Sequence, residues 1–133
     1  GRRVIVPTAG TAMSGVSCAT PSANVWATLR SGLSGVVTVA DAEVQETMRT
    51  LARCGLTIGD CGAASIVALR SLALDAACGD LRTAVGLGRA SNALCVATEG
   101  ASDPAAYSKV VAEPAGRGVV ASRSPGGRPR KGA

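Results

Sequence analysis

The chain has 133 residues, 47% of them hydrophobic and 17% charged, which suits one globular domain rather than a disordered segment. It contains no His and no Phe, so catalytic pairs and metal sites built on imidazole are excluded, and any core must be filled by Ala, Val, Leu and Ile. The net charge of +5 is unevenly placed: residues 1–112 hold nine Arg or Lys against eight Asp or Glu, whereas Arg117, Arg123, Arg128, Arg130 and Lys131 crowd the end. A basic tail without aromatic residues offers phosphates a charge but gives bases no stacking platform, so nucleic acid is not an expected partner.

Val4-Ile5-Val6 reads as a short strand stopped by Pro7, followed by a loop of small residues as far as Pro21. Pro21 and Ser22 open a helix with Val25, Trp26 and Leu29 on one face, and Ser31-Gly32 ends it. Gly35-Val36-Val37-Thr38-Val39 is a second β-branched strand. Asp41 is then the expected cap of a helix with Glu43 in its first turn and Val44, Met48, Leu51 and Ala52 on one face. Arg49 and Arg53 lie near its end and Gly55 just past it. After Gly59-Asp60 a helix runs to about Gly79, apolar almost all round and so expected to be covered on several sides.

Beyond the Gly86-Leu87-Gly88 turn, Ala93-Leu94-Cys95-Val96-Ala97 forms a third strand. Asp103-Pro104 then supplies a cap residue and a proline suited to the first helical position. From residue 113 onward Gly, Pro, Ser and Arg dominate, a composition that buries too little to offset its ordering entropy. The five cysteines, Cys18, Cys54, Cys61, Cys78 and Cys95, are odd in number and include no C-x-x-C pair. They read as reduced, small buried hydrophobes, with Cys61 the candidate for a reactive thiolate. The N-terminal Gly1-Arg2-Arg3 does not read as a signal peptide, and the apolar stretch 61–78 is interrupted by Arg70 and Asp75. A cytoplasmic protein without membrane association is expected.

Strands alternating with helices predict an α/β fold, but three strands are fewer than the ~5–6 of a usual sheet. The sheet is therefore expected to be partial. Ligands of such sheets sit beyond the carboxyl ends of the strands, which singles out Thr98-Glu99-Gly100, although an ordinary polar loop leading to a capped helix has the same pattern. Gly59-Asp60-Cys61-Gly62 is the other polar cluster at an element boundary, and helix capping by Asp60 accounts for it equally well.

Several segments occur in a familiar order: Thr11 to Ser22, Trp26 with Leu29, Gly59-Asp60-Cys61-Gly62-Ala63-Ala64, and Ala97 to Pro104 with Tyr107. Over about residues 4–112 the chain resembles the C-terminal part of the diaminopropionate ammonia-lyases. These are fold-type-II pyridoxal-phosphate enzymes of the tryptophan synthase β-like group. The family's Gly-Glu-Ser-Gly is Gly59-Asp60-Cys61-Gly62 here, and Ala19 stands where it has Gly.

The resemblance implies α,β-elimination of 2,3-diaminopropionate to pyruvate and ammonia, pyridoxal 5'-phosphate as cofactor, and cofactor contacts at Asp60, Gly62, Thr98 and Glu99. Thr98 would face the pyridine nitrogen and Asp60 the ring edge, with a small amino acid as substrate and a homodimer as the full-length assembly. It also implies residues 1–112 as a partial domain, part of a three-layer sheet with helices; it leaves residues 113–133 unmatched, and their composition reads as a disordered tail. Lys109 and Lys131 are the only lysines, and neither occupies the family's Schiff-base position, so the chain reads as a fragment inactive by itself. Two other readings stand beside it: a non-catalytic binding or assembly module of the same fold, and a tail that serves as a nucleic-acid arm.

Overall fold

Residues 3–8 and 10–113 are described in the computed structural model of the chain. The tail expected over residues 113–133 lies outside them except for Glu113. Helix α1 (Ala23–Gly32) begins after Ser22 as anticipated, and Leu33 N–H closes it on Leu29 O at 3.0 Å. Trp26 and Leu29 are half-buried, but α1 packs on no other helix among the described residues.

Helix α2 (Asp41–Arg53) is the centre of the molecule. Its N-cap is Ala40, not Asp41; with no side-chain acceptor there, Glu43 reaches back to accept from Ala40 N–H at 3.3 Å. Asp41 is the first helical residue, and its carboxylate turns outward to the preceding loop. The C-terminus closes as the sequence leads one to expect. Gly55 takes φ +79°, its N–H bonds Ala52 O at 2.9 Å, and Leu56 N–H bonds Leu51 O at 3.0 Å.

Helix α3 (Asp60–Leu74) is shorter than the sequence suggests. Asp75 leaves the helical region at ψ 129° and its side chain accepts from Ala77 N–H at 2.9 Å, opening a 3-10 turn over Ala76–Cys78. A further short helix, α4 (Gly79–Ala84), follows and has no counterpart in the sequence reading. Arg82 on α4 donates to Leu72 O (2.6 Å), which the end of α3 leaves without an amide partner, and to Asp75 O (2.7 Å), which also accepts from Cys78 N–H. Helix α5 (Pro104–Ala112) matches its sequence signature: Asp103 accepts from Ala105 and Ala106 N–H at 3.0 Å each, with Pro104 as first residue.

The core forms where α3 and α5 lie against α2. Met13, Val44, Met48, Ala63 and Val67 are buried, with Val39, Leu51, Ile58, Tyr107 and Val110 packed around them. Arg49 is buried too. It pairs with Glu46 at 3.0 Å and donates to Val110 O at 3.2 Å, so its charge meets the carbonyl end of α5 rather than that of its own helix. Among the described residues no single helix is long and apolar enough to cross a membrane.

Three expectations need correction. The segments Val4–Val6, Gly35–Val39 and Ala93–Ala97 form no strand among the described residues, so the sheet of the α/β reading is not seen. A strand exists only through a ladder with a neighbour, and these segments do not pair with one another. Ile5, Val36 and Leu94 are 81%, 77% and 91% exposed. The apolar circumference of α3 is likewise only partly covered: Gly62, Ala63 and Val67 are buried, Ala64, Ile66, Ala68 and Leu72 half-buried, and Leu74 exposed. None of the cysteines is fully buried: Cys18 and Cys54 are exposed, Cys61, Cys78 and Cys95 half-buried, and all five are free thiols.

Candidate functional site

A cavity of about 270 Å³ opens between the Ala12–Ser14 loop, the N-terminal halves of α2 and α3, and the segment leading into α5. Met13, Val44, Met48, Tyr107 and Val110 give it an apolar floor. Asp41, Asp60, Glu99 and Asp103 give it an acidic rim, and among the described residues no Lys or Arg lines it. Two of the four carboxylates have local structural work. Asp103 caps α5. Asp41 accepts from Thr11 hydroxyl at 2.6 Å and Ala12 N–H at 2.7 Å, tying the loop to the start of α2; the Ala12 amide, and after it the Thr11 hydroxyl, hold its carboxyl below the usual range.

The other two carboxylates meet at the start of α3. Cys61 N–H donates to Asp60 Oδ1 at 2.7 Å and to Glu99 Oε1 at 2.9 Å, so Glu99 supplies from 38 residues away the acceptor that Gly59 cannot. Gly59 N–H also donates to Glu99 O at 3.2 Å, and Ser102 hydroxyl donates to Glu99 Oε2 at 3.3 Å. Asp60, Cys61 and Glu99 bring their side-chain ends within 4.8 Å of one another.

Burial raises the Asp60 carboxyl, and its proton, bonded to Glu99, reinforces that shift. That same bond, followed by the Cys61 amide, lowers Glu99. Burial, aided by the two adjacent carboxylates, pushes the Cys61 thiol up to about 11. A thiol so placed stays protonated at neutral pH and is a poor nucleophile, contrary to the thiolate reading of Cys61.

Two glycines make this meeting possible. A Cβ on Gly59 would run into Gly100 O and come within 2.9 Å of Glu99 Cγ. A Cβ on Gly62 would sit 2.8 Å from Ile58 Cγ2 and 3.3 Å from Ala97 Cα. Of the expected cofactor-binding residues, Asp60 and Glu99 therefore share one cavity, and buried Gly62 supports it from behind. Thr98 is exposed and outside the lining. Asp41 and Tyr107 are lining residues that the sequence did not single out as site residues. Asp41 reads from sequence as a helix cap, and only its placement across from Glu99 reveals more.

Pyridoxal phosphate needs donors or cations for a dianionic phosphate and an amine to hold it covalently. Among the described residues the cavity offers no cation and no amine, and its uncharged donors, Ser14, Gln45, Ser102 and Tyr107, stand among four carboxylates. Its rim is acidic, Lys109 is exposed on α5, and Lys131 is outside the described residues. The described residues therefore do not make a cofactor site on their own.

Residues 1–88 match the family described as "Pyridoxal-phosphate dependent enzyme". The matched span includes Asp60, Cys61 and Gly62 and stops short of Thr98 and Glu99. No curated protein and no solved structure matches the chain. With well over half its length matched, the chain belongs to the pyridoxal-phosphate-dependent enzyme family.

Proposed function

We propose that the chain is part of an ammonia-lyase that eliminates ammonia from 2,3-diaminopropionate to give pyruvate, and that it contributes an acidic wall of the substrate cleft without being active alone. The observation that carries this reading is the cavity itself, with Asp60 and Glu99 side by side and no cation on its lining. A carboxylate pair attracts a substrate bearing a second ammonium group more strongly than one bearing a hydroxyl, because the desolvated charge must be matched. No lysine stands among the described lining residues, which supports inactivity of the chain by itself. Under this reading the ligand is a small amino acid and the setting is the cytoplasm.

The test uses the longest in-frame product containing these residues, supplied with pyridoxal phosphate, alongside the 133-residue chain. Release of the 2-oxo acid is measured: pyruvate from 2,3-diaminopropionate and from serine, 2-oxobutanoate from threonine. Diaminopropionate is expected to be the preferred substrate, with Glu99→Gln raising its KM more than that of serine and the 133-residue chain silent. Equal or better turnover of serine overturns the ammonia-lyase reading. A longer product that neither binds the cofactor nor releases pyruvate favours a non-catalytic module of the same fold.

A further inference from the structure

Five consecutive residues, Glu99 to Asp103, form one wall of the cavity. At one end this wall is anchored by Asp103, which caps α5. At the other it is fastened to α3 through Glu99, by the Cys61 N–H bond to its carboxylate (2.9 Å) and the Gly59 N–H bond to its carbonyl (3.2 Å). The close approach at Gly59 and Gly62 brings the two surfaces together without interlocking side chains. The fastening therefore depends on a few polar contacts, and one of them is made by a group that titrates.

We propose that Glu99–Asp103 is a pH-sensitive strap over the cavity, held against α3 while Asp60 and Glu99 share one proton and loosened when both are ionised. Beside the pair stands Cys61 from α3, and the same cavity is lined by Asp41 from α2, Asp103 at the start of α5 and Tyr107 from α5, with no Lys or Arg among the described lining residues. A single negative charge is welcome at the start of α3, where amide N–H groups point outward. A second charge within 4.8 Å is not, and no cationic side chain among the described lining residues offsets the repulsion.

The direction follows from the two groups. Asp60 is raised, so the folded, strapped form favours its neutral state, and that contribution is lost as pH rises through its folded value. Glu99 is lowered, so it remains ionised as an acceptor throughout, until pH falls through its own depressed value. The Cys61 thiol, at about 11, does not change state in this range.

Amide hydrogen exchange by NMR on the full chain tests the strap, with the intrinsic pH dependence of exchange divided out. Gly59 and Cys61 report the fastening; Ala105 and Ala106, bonded to Asp103, report the other end. As pH rises through the raised value of Asp60, protection at Gly59 and Cys61 is expected to fall severalfold. Ala105 and Ala106 are expected to hold. Asp60→Asn, which keeps a neutral side chain beside Glu99, is expected to retain the acid-side protection at every pH, and Glu99→Gln to give low protection without pH dependence. Constant protection in the unmutated chain overturns the proposal, as does a parallel loss at Ala105 and Ala106 or an unchanged fall in Asp60→Asn.

Discussion

Helix α2 and the segment Gly35–Val39 just before it are neighbours in the chain with opposite fates. Both are rich in apolar side chains. In α2, Val44 and Met48 are buried by α3 and α5, and the helix closes on Gly55 with two bonds of its own. In the segment before it only Val39 reaches the core, while Val36 is 77% exposed. A helix satisfies its backbone internally and needs a neighbour for one face only, whereas a strand needs a neighbour even for its backbone. An apolar pattern alone therefore predicts burial well for helices and poorly for strands whose partners lie elsewhere.

That contrast can be tested by substitution. The largest effect is expected from Met48→Ala, which empties a buried core position beside the cavity and should cost about 2–5 kcal/mol, read from the urea midpoint. Gly59→Ala should cost about 1–3 kcal/mol, since its Cβ meets the backbone of Gly100 and the strap must shift. Asp103→Ala removes a cap bonded to two amides and should cost about 1 kcal/mol, with α5 fraying first in hydrogen exchange. Leu94→Ser, on the exposed third segment, should stay within about 0.5 kcal/mol. A loss at Leu94 comparable to that at Met48 would mean that the segment is covered after all and would erase the contrast.

A pH series sharpens the same comparison on the α2 side. Asp41 is lowered by its bonds to Ala12 and Thr11, so the stability it confers is present above the ordinary carboxylate value and is lost as pH falls through its depressed one. Urea midpoints measured on acidification should therefore drop less in Asp41→Asn than in the unmutated chain. An identical drop in both would remove Asp41 from the anchorage of the Ala12–Ser14 loop.

The sequence by itself determined the helices whose signals are local. Asp103-Pro104 opens α5, Gly55 closes α2, and the spacing of Val44 and Met48 fixes the face that is buried. It also brought Asp60 and Glu99 forward as site residues, though for reasons of resemblance and position. The tertiary structure alone decided that they share one cavity and an amide, that Asp41 serves a loop instead of its helix, and that Thr98 faces outward. Capping bonds and left-handed turns involve residues a few positions apart and leave a mark in the sequence. The meeting of Glu99 with Cys61 spans 38 residues and is set by how closely two glycine-bearing surfaces approach, which no local pattern encodes.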